Sequence, residues 1–503
     1  MTALTGGSEP PPNPPSPAPA RRTAVFAVTA VAAFMASLDL SIVNVAFPAL
    51  ERSFVRAGQA ELAWVITAYA IVFASLLVTA GRTADRLGRR RLFFIGLAVF
   101  TAGSALCGLA PDLPVLVSGR AVQGSGAALL LPASLGLLLD AFPQESRSQA
   151  VALWAGVGAL AVATGPSLGA ALISAGGWRW AFFVNLPVGA AAALLGRRVL
   201  PPGAPRQAPA SPDYPGVVLV SAALAGVVLA ISQGSDWGWT DPRVLAAGIA
   251  AVALGIAFIR RCATHPEPVL DLRLFRHRSF AVANLATLVY AMGFFSMLLG
   301  NILFLTGQWN YSILRAGLAV TPGPLVVAAV SGPAGKLAAR RGFRPVLVAG
   351  FAVFALGLSL YALRVGTHPD YLGSWLPATL VSGLGIGLTF PVLGAAAVAS
   401  LHPDRFAVGS AVNQTARQVG GALGVAVLVV ILGPAGSPMA ALGHFRHLWA
   451  FSAGMAVLAG ITSLLLTPTP EPVRAPPLPQ SATDAAVIGN SWPETSTAPA
   501  PGS

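Results

Sequence analysis

Apolar residues in this chain recur in blocks of about 20, and that block length restricts the fold more than any other feature. A helix needs about 20 such residues to cross roughly 30 Å of hydrocarbon. Blocks lie near 24–48, 61–81, 92–110, 113–139, 149–173, 179–197, 214–233 and 243–259, then near 280–305, 316–336, 345–363, 372–400, 408–432 and 447–467. They predict an all-α polytopic membrane protein with fourteen transmembrane helices. Charged residues make up 10% of the chain, against about 25% in a soluble domain. That is too little polar side chain to cover a water-facing surface.

Short cytoplasmic loops carry an excess of Lys and Arg, which sets the orientation. With the N-terminus inside, loops and tails on that side hold 22 of the 31 cationic residues. The opposite side holds seven, Arg52, Arg56, Arg179, Arg243, Arg315, Arg364 and Arg446, and Arg120 and Arg417 fall within spans. Both termini are therefore expected in the cytoplasm, and the net charge of +13 reads as topology rather than as a nucleic-acid surface. Residues 1–22, with their run of prolines, and 468–503 read as disordered cytoplasmic tails. The first block continues past Arg21 and Arg22 with no small-residue cleavage site before Asp39, so it reads as a retained helix. Cys107 lies in a span and Cys262 in a loop, so no disulfide is expected between them. Trp178, Trp180, Trp237, Trp239, Trp309 and Trp375 lie near outer span ends and are expected to form an aromatic interface belt.

The chain repeats itself. Gly81-Arg-Thr-Ala-Asp-Arg-Leu-Gly-Arg-Arg-Arg-Leu92 returns 254 residues later as Gly335-Lys-Leu-Ala-Ala-Arg-Arg-Gly-Phe-Arg-Pro-Val346. Each copy joins the second and third span of its series. The tetrapeptide Leu-Val-Ser-Gly recurs at 116–119 and 380–383, which would make Leu384 the counterpart of Arg120. The expected organisation is a six-helix bundle over 23–200, a linker with two inserted helices over 201–278, and a second six-helix bundle over 279–467. Duplicated halves of this kind are typical of transporters that rock around a midplane site.

Asp39 is the acid that falls well inside a span. A charge at such depth costs several kcal/mol, so intramembrane acids are functional-site hypotheses by default. A carboxyl group there can hold either a proton or a cationic substrate, and that mutual exclusion is what exchange requires. The alternative is a polar residue hydrogen-bonded to a neighbouring helix. Arg120 shares a helix face with Gln123 and Gly124 by its i, i+3 and i+4 spacing. Asp39 is a candidate partner for it, and an interhelical clamp is the alternative role. In span 13, Asn413, Gln414 and Arg417 are candidates for lining a cavity, or Arg417 caps helix carbonyls near the cytoplasmic end. No Gly-x-x-x-x-Gly-Lys-Ser/Thr loop is present, which argues against ATP-driven transport. The histidines lack a metal-ligand pattern, and nothing indicates an enzyme.

The 81–92 stretch resembles the loop signature of the major facilitator superfamily. Together with Leu38-Asp-Leu-Ser-Ile-Val-Asn-Val-Ala-Phe-Pro48, the spans resemble its fourteen-span drug:proton antiporter branch. Arg120-Ala-Val-Gln-Gly-Ser-Gly-Ala, Gly165-Pro-Ser-Leu-Gly169, Trp178-Arg-Trp-Ala-Phe-Phe-Val-Asn-Leu-Pro-Val-Gly189 and Arg417-Gln-Val-Gly-Gly-Ala-Leu-Gly424 extend the resemblance. It implies a major facilitator fold of two six-helix bundles plus two inserted central helices. It also implies proton coupling and substrate binding through Asp39, Arg120, Asn44 and Gln123. Gly81, Asp85, Arg86, Gly88, Arg89 and Arg90 would form a conformational latch between the halves, although those arginines fix topology in any case. Ala339 stands in the second copy where Asp85 stands in the first, so the first latch alone should be charged. Gly165, Pro166 and Gly169 match an antiporter-type helix, with Ala170 where a second glycine is usual; close helix packing is the plainer account of them.

The expected function is therefore proton-coupled export of amphipathic, cationic or neutral drugs or toxic small molecules across the plasma membrane. The proton gradient supplies the energy and no cofactor is needed. The partners are the small-molecule substrate, protons and the lipid bilayer, with the protein a monomer. Import or export of a metabolite on the same fold is the nearer alternative, and a non-transporting scaffold or sensor the more distant one.

Overall fold

The computed structural model describes residues 19–201, 213–401, 405–434 and 436–466, all within one compact unit. Every regular element among them is helical: α1(Pro19–Ser53), α2(Gln59–Leu87), α3(Arg89–Leu109), α4(Leu113–Ala141), α5(Gln144–Gly176), α6(Trp180–Phe183), α7(Asn185–Val199), α8(Tyr214–Trp237) and α9(Pro242–Thr264), then α10(Arg278–Gly307), α11(Ile313–Val320), α12(Pro322–Arg341), α13(Phe343–Arg364), α14(Leu376–Val398), α15(Phe406–Leu432) and α16(Pro438–Ser463). Of the tails predicted over 1–22 and 468–503, residues 1–18 and 468–503 lie outside the described residues, whereas 19–22 are helical, because the first turn of α1 extends the span past Arg21 and Arg22.

Among the described residues, twelve helices are long and apolar enough to cross a membrane, and thirteen if the two parts of α5, bent by 43°, count as one span. The segment matching the fourteenth predicted span, α16, is helical but is not among them. His444, Arg446 and His447 lie in its first half, and they dilute its apolar character.

Sequence sets several helix ends. Asp112, Asp213, Asp241 and Ser437 each stand just before a helix and accept a hydrogen bond from a backbone N–H of its first turn, the ordinary N-cap arrangement. Between α2 and α3 a single residue, Gly88, reverses the chain at φ 89°, and Gly342 does the same between α12 and α13 at φ 86°. Only glycine takes that region without strain, so the two glycines of the sequence repeat do the same conformational work.

The repeat extends into packing. In the first half α3 and α2 pack on α4 and α1 packs on α5; in the second α13 and α12 pack on α14 and α10 packs on α15. A Cβ on Gly126 would run into the backbone of Phe100, and one on Gly385 into that of Phe354. Gly103 presses on Gln123 as Gly357 presses on Ser382, and Gly124 meets Tyr69 as Gly383 meets Gly323. Positions in α2 and α3 thus recur 254 residues on (100 to 354), but positions in α4 recur 259 residues on (126 to 385). This corrects the register expected from the tetrapeptide: the counterpart of Arg120 is Thr379, not Leu384. The Leu-Val-Ser-Gly match is a coincidence, because packing contacts define structural equivalence and four common residues do not.

The halves meet along α2 with α15, α5 with α11 and α12, and α1 with α10. Near the α1–α2 turn one apolar core runs through both, from Ile42, Phe47 and Leu50 to Ile302, Leu303 and Trp309. Towards the α2–α3 loop the first half has its own core, around Val28, Phe73, Phe93 and Leu130. The halves are joined there through the smaller cluster of Val78, Leu274, Phe280 and Val412. The halves are therefore in apolar contact at both ends, with the larger shared core towards the α1–α2 end. Helices α8 and α9 pack on each other, with α8 laid against α2 and α15. Leu245, Ile249, Val252, Ile256 and Ile259 form an exposed apolar stripe along α9, as suits a helix facing lipid.

The expected tryptophan belt is half right. Trp180, Trp237 and Trp239 are exposed, but Trp178, Trp309 and Trp375 are buried. Trp375 stacks on Phe304 at 5.6 Å within a cluster that includes Trp309, Tyr361 and Trp449. The π-helical turn Tyr371–Trp375 ahead of α14 tucks this indole inward, a local geometry that composition does not reveal. Cys107 is buried in α3, and Cys262, expected in a loop, is buried in the last turns of α9, whose apolar face carries it inward.

Asp213 fastens α8 to α9 by an ion pair with Arg261. Burial works against its charge, but the bonds from Arg261 and the Gly216 N–H outweigh that and hold its carboxyl below the ordinary value. A depressed acid stabilises the fold fully above its unfolded value of about 3.9 and loses that contribution as pH falls through the folded one. Thermal denaturation of purified native protein and Asp213→Asn should therefore differ by about 1.5–3 kcal/mol at neutral pH. The two should converge below about pH 4; a gap that persists in acid would mean that shape, not charge, does the fastening.

Candidate functional site

The first half places a charge pair at the meeting of α1 and α4. Asp39 and Arg120 are each 1% exposed, and one guanidinium nitrogen of Arg120 donates to Asp39 Oδ2 at 2.6 Å. The same nitrogen reaches Gln123 Oε1 at 2.7 Å, and Arg120 Nε donates to Val65 O in α2 at 2.8 Å. Gln123 Nε2 donates to Asp39 Oδ1 at 2.7 Å and to Ser104 Oγ in α3 at 3.0 Å. Ser104 in turn accepts from Asn185 Nδ2 of α7 at 2.9 Å and donates to Phe182 O at 3.1 Å. The guanidinium also lies over the Tyr69 ring, 4.3 Å from its centroid. Both carboxylate oxygens are thus occupied, which is what a buried pair requires, because its desolvation is repaid only when the remaining polar atoms are bonded.

Of the residues expected here, Asp39, Arg120 and Gln123 come together and Asn44 does not. Asn44 Nδ2 turns back to Leu40 O of its own helix at 2.7 Å, and its Oδ1 is buried without a partner among the described residues. Ser104, Asn185, Tyr69 and the Val65 carbonyl complete the network and were not singled out from sequence. Asn185 had a signal, an amide in an apolar span. Ser104 had none, since serines are common in such helices.

On the other face of α1, Ser41 and Ile42 pack against Gly165 and Gly169 of α5. Pro166 has no N–H to give to the carbonyl four residues back. That carbonyl, Val162 O, accepts instead from Ser41 Oγ at 3.3 Å. Gly165 makes this approach available, because any Cβ there would collide with Ser41. The bend in α5 is therefore bonded to the helix that carries Asp39, two residues from it.

In the 81–92 loop, Arg89 donates to Asp140 Oδ1 at 2.7 Å and Gly136 O at 3.0 Å, both in α4. Arg90 donates to Arg197 O of α7 at 3.1 Å. Gly81 faces Pro132 of α4, Arg86 lies half-buried in the last turn of α2, and the Asp85 side chain lies outside the described residues. These bonds fasten the loop to its own half.

In the second half, Asn413 is buried and bonds across to Thr287 Oγ1 of α10 at 2.8 Å and to Asn284 Oδ1 at 3.3 Å, joining α15 to α10. Gln414 and Arg417 are half-buried. Thr415 Oγ1 donates to Ala74 O of α2 at 3.1 Å, a bond between the halves.

A duplicated helical bundle with a charge pair sealed between its spans defines a polytopic membrane protein of the transporter type. The family model described as Major Facilitator Superfamily matches residues 29–425 and 283–500, and the chain belongs to that superfamily. It is 35% identical over 413 residues, 80% of this chain and 75% of the relative, to a multidrug resistance protein B homolog of Mycobacterium tuberculosis (strain ATCC 25618 / H37Rv). It is 32% identical over 408 residues to the tetracenomycin C resistance and export protein of Streptomyces glaucescens, covering 80% and 74%. It is 30% identical over 416 residues to the multidrug transporter protein MdtP of Bacillus subtilis (strain 168), covering 82% and 75%. Among solved structures, an auto-inhibited POT family peptide transporter superposes with a TM-score of 0.64 at 17% identity, covering 90% of this chain and 99% of that one; this likeness speaks to the fold.

Proposed function

We propose that this protein exports amphipathic drugs or toxic small molecules across the plasma membrane in exchange for protons, as a fourteen-span monomer with both termini in the cytoplasm. Relatives at 30–35% identity bear the names of multidrug resistance and export proteins, which supports efflux. The observation that carries proton exchange is the sealed pair of Asp39 and Arg120. One proton added to Asp39 turns a neutral cluster into a lone buried cation, which low-dielectric surroundings penalise heavily. The protonated cluster must therefore rearrange. Ser41 bonds α1 to the bend of α5, so a rearrangement there reaches a helix that touches the second half. Both oxygens of Asp39 are committed, so a cationic substrate reaches it only after Arg120 swings away, and substrate charge preference is set elsewhere. Loss of the Arg89–Asp140 bond would free the 81–92 loop to act as the latch.

The test is gradient-driven flux in liposomes. Native protein should move an amphipathic dye against its concentration gradient when a proton gradient is imposed, and a protonophore should stop it. Flux unchanged by the protonophore would exclude proton coupling, and flux only towards the cytoplasmic face would make the protein an importer.

A further inference from the structure

The second half holds a half-buried cation that no acid among the described residues neutralises. Arg417 sits near the middle of the 27-residue α15, where the first half's cation, Arg120, has a carboxylate, an amide and a carbonyl. Arg417 has no hydrogen bond and no ion pair among the described residues, and its Nε is buried without a partner. Its guanidinium lies over the ring of Phe390 in α14, 4.5 Å from the centroid. Phe390 continues to Phe294 at 6.0 Å, and Phe294 to Tyr290 at 5.8 Å, both in α10. The side chains flanking Arg417 on α15 add no acid: Gln414 is half-buried, and Gln418 is 2% exposed with its Nε2 unbonded. An arginine held at this depth is expected to have a counter-charge or acceptors. Among the described residues the chain supplies the Phe390 ring face and, near enough to act on the charge, the unbonded Tyr290 hydroxyl, yet it leaves part of the side chain accessible.

We propose that Arg417 is the anchor for an acidic oxygen of the transported molecule, so that the substrates are ring-bearing amphiphiles carrying a carboxylate or an ionised enol or phenol. Guanidinium offers a planar fork of N–H donors that matches a delocalised oxyanion. The ring of Phe390, itself packed on Phe294, holds that fork in place, and the half-buried Phe295 beside Phe294 offers apolar surface to the ligand's ring. Binding the anion turns the unneutralised cation into a paired one, so substrate and Arg417 stabilise each other inside the bundle. This rests on the export reading above for the word substrate, but binding at Arg417 needs no gradient.

The experiment compares three probes with one ring system and different charge: pyrenebutyrate, pyrenebutanol and pyrenebutyltrimethylammonium. Their affinities for the full-length protein in detergent are measured with no gradient. Native protein should bind the carboxylate at least about 10-fold more tightly than the alcohol or the cation. Arg417→Gln should lose about 10- to 100-fold for the carboxylate while the other two stay within about two-fold, which also shows the variant folded. Arg417→Lys should fall between them, keeping the charge but losing the fork. Three results each overturn the proposal: no preference for the carboxylate in the native protein, an unchanged preference in Arg417→Gln, or an equal loss for all three probes. Displacement of the carboxylate by chloride alone also overturns it, making Arg417 a site for an inorganic ion. Asp39→Asn should keep the preference while losing energised flux, so the anion site and proton coupling can fail separately.

Discussion

Asp39→Ala should lose about 3–5 kcal/mol of stability together with all proton-driven flux, and adding Arg120→Met should return most of the stability and none of the flux. The single change strands a guanidinium that is 1% exposed with no counter-charge, only the Gln123 and Val65 oxygens, and breaking a buried pair from one side is destabilising on that scale. The double change removes the stranded charge and fills its volume with an unbranched apolar side chain, a replacement that is often neutral or better. Gln123 remains bonded to Ser104 and so keeps part of its network. Thermal denaturation in detergent gives the stability of each member of the cycle, and flux into proteoliposomes gives coupling. A double variant that still carries out uncoupler-sensitive flux would dismiss the pair as a proton site. A double variant as unstable as the single would mean that the pair's geometry, and not its charge balance, holds α1 to α4.

Gly317→Ala should reduce flux by about 5- to 150-fold while leaving each half folded. At this point α11 crosses α5 so closely that an added Cβ would lie 2.6 Å from Pro166 O and 2.5 Å from the Ala170 Cβ. Ala170 occupies the position where the resemblance leads one to expect a glycine, and Gly317 across the interface makes room for its methyl group. Overpacking typically costs about 1–3 kcal/mol, and here it burdens only the arrangement in which the halves touch at this end. The equilibrium between arrangements shifts by the corresponding factor. Leu303, 6% exposed in the shared core, reports the shift: Leu303→Cys should react with an impermeant thiol reagent about 10-fold faster when Gly317→Ala is present. Equal labelling and equal flux would show that the contact does not limit rocking.

The sequence by itself determined the class of fold, because apolar blocks long enough to span a bilayer leave the chain little alternative to a helical bundle. It also determined the duplicated halves, through the 81–92 stretch that returns at 335–346, whose glycines at 88 and 342 the fold sets at matching angles. Asp39 and Arg120 stood out as well, since an ionisable residue in an apolar span is conspicuous by its cost. Their pairing was decided by tertiary structure: Asp39 and Arg120 lie 81 residues apart, and only the packing of α1 on α4 brings them together. The same is true of Ser104 and Asn185, ordinary polar residues until helix contacts aim them at Gln123. Periodicity likewise placed Trp375 at a span end without telling that a turn folds it inward. The match at 116–119 and 380–383 misled for the same reason, because which residues are equivalent is settled where helices touch. Arg417 shows the division most plainly. Its charge inside a span was readable from the chain, but that no carboxylate pairs with it among the described residues became visible only once the helices around it were in place.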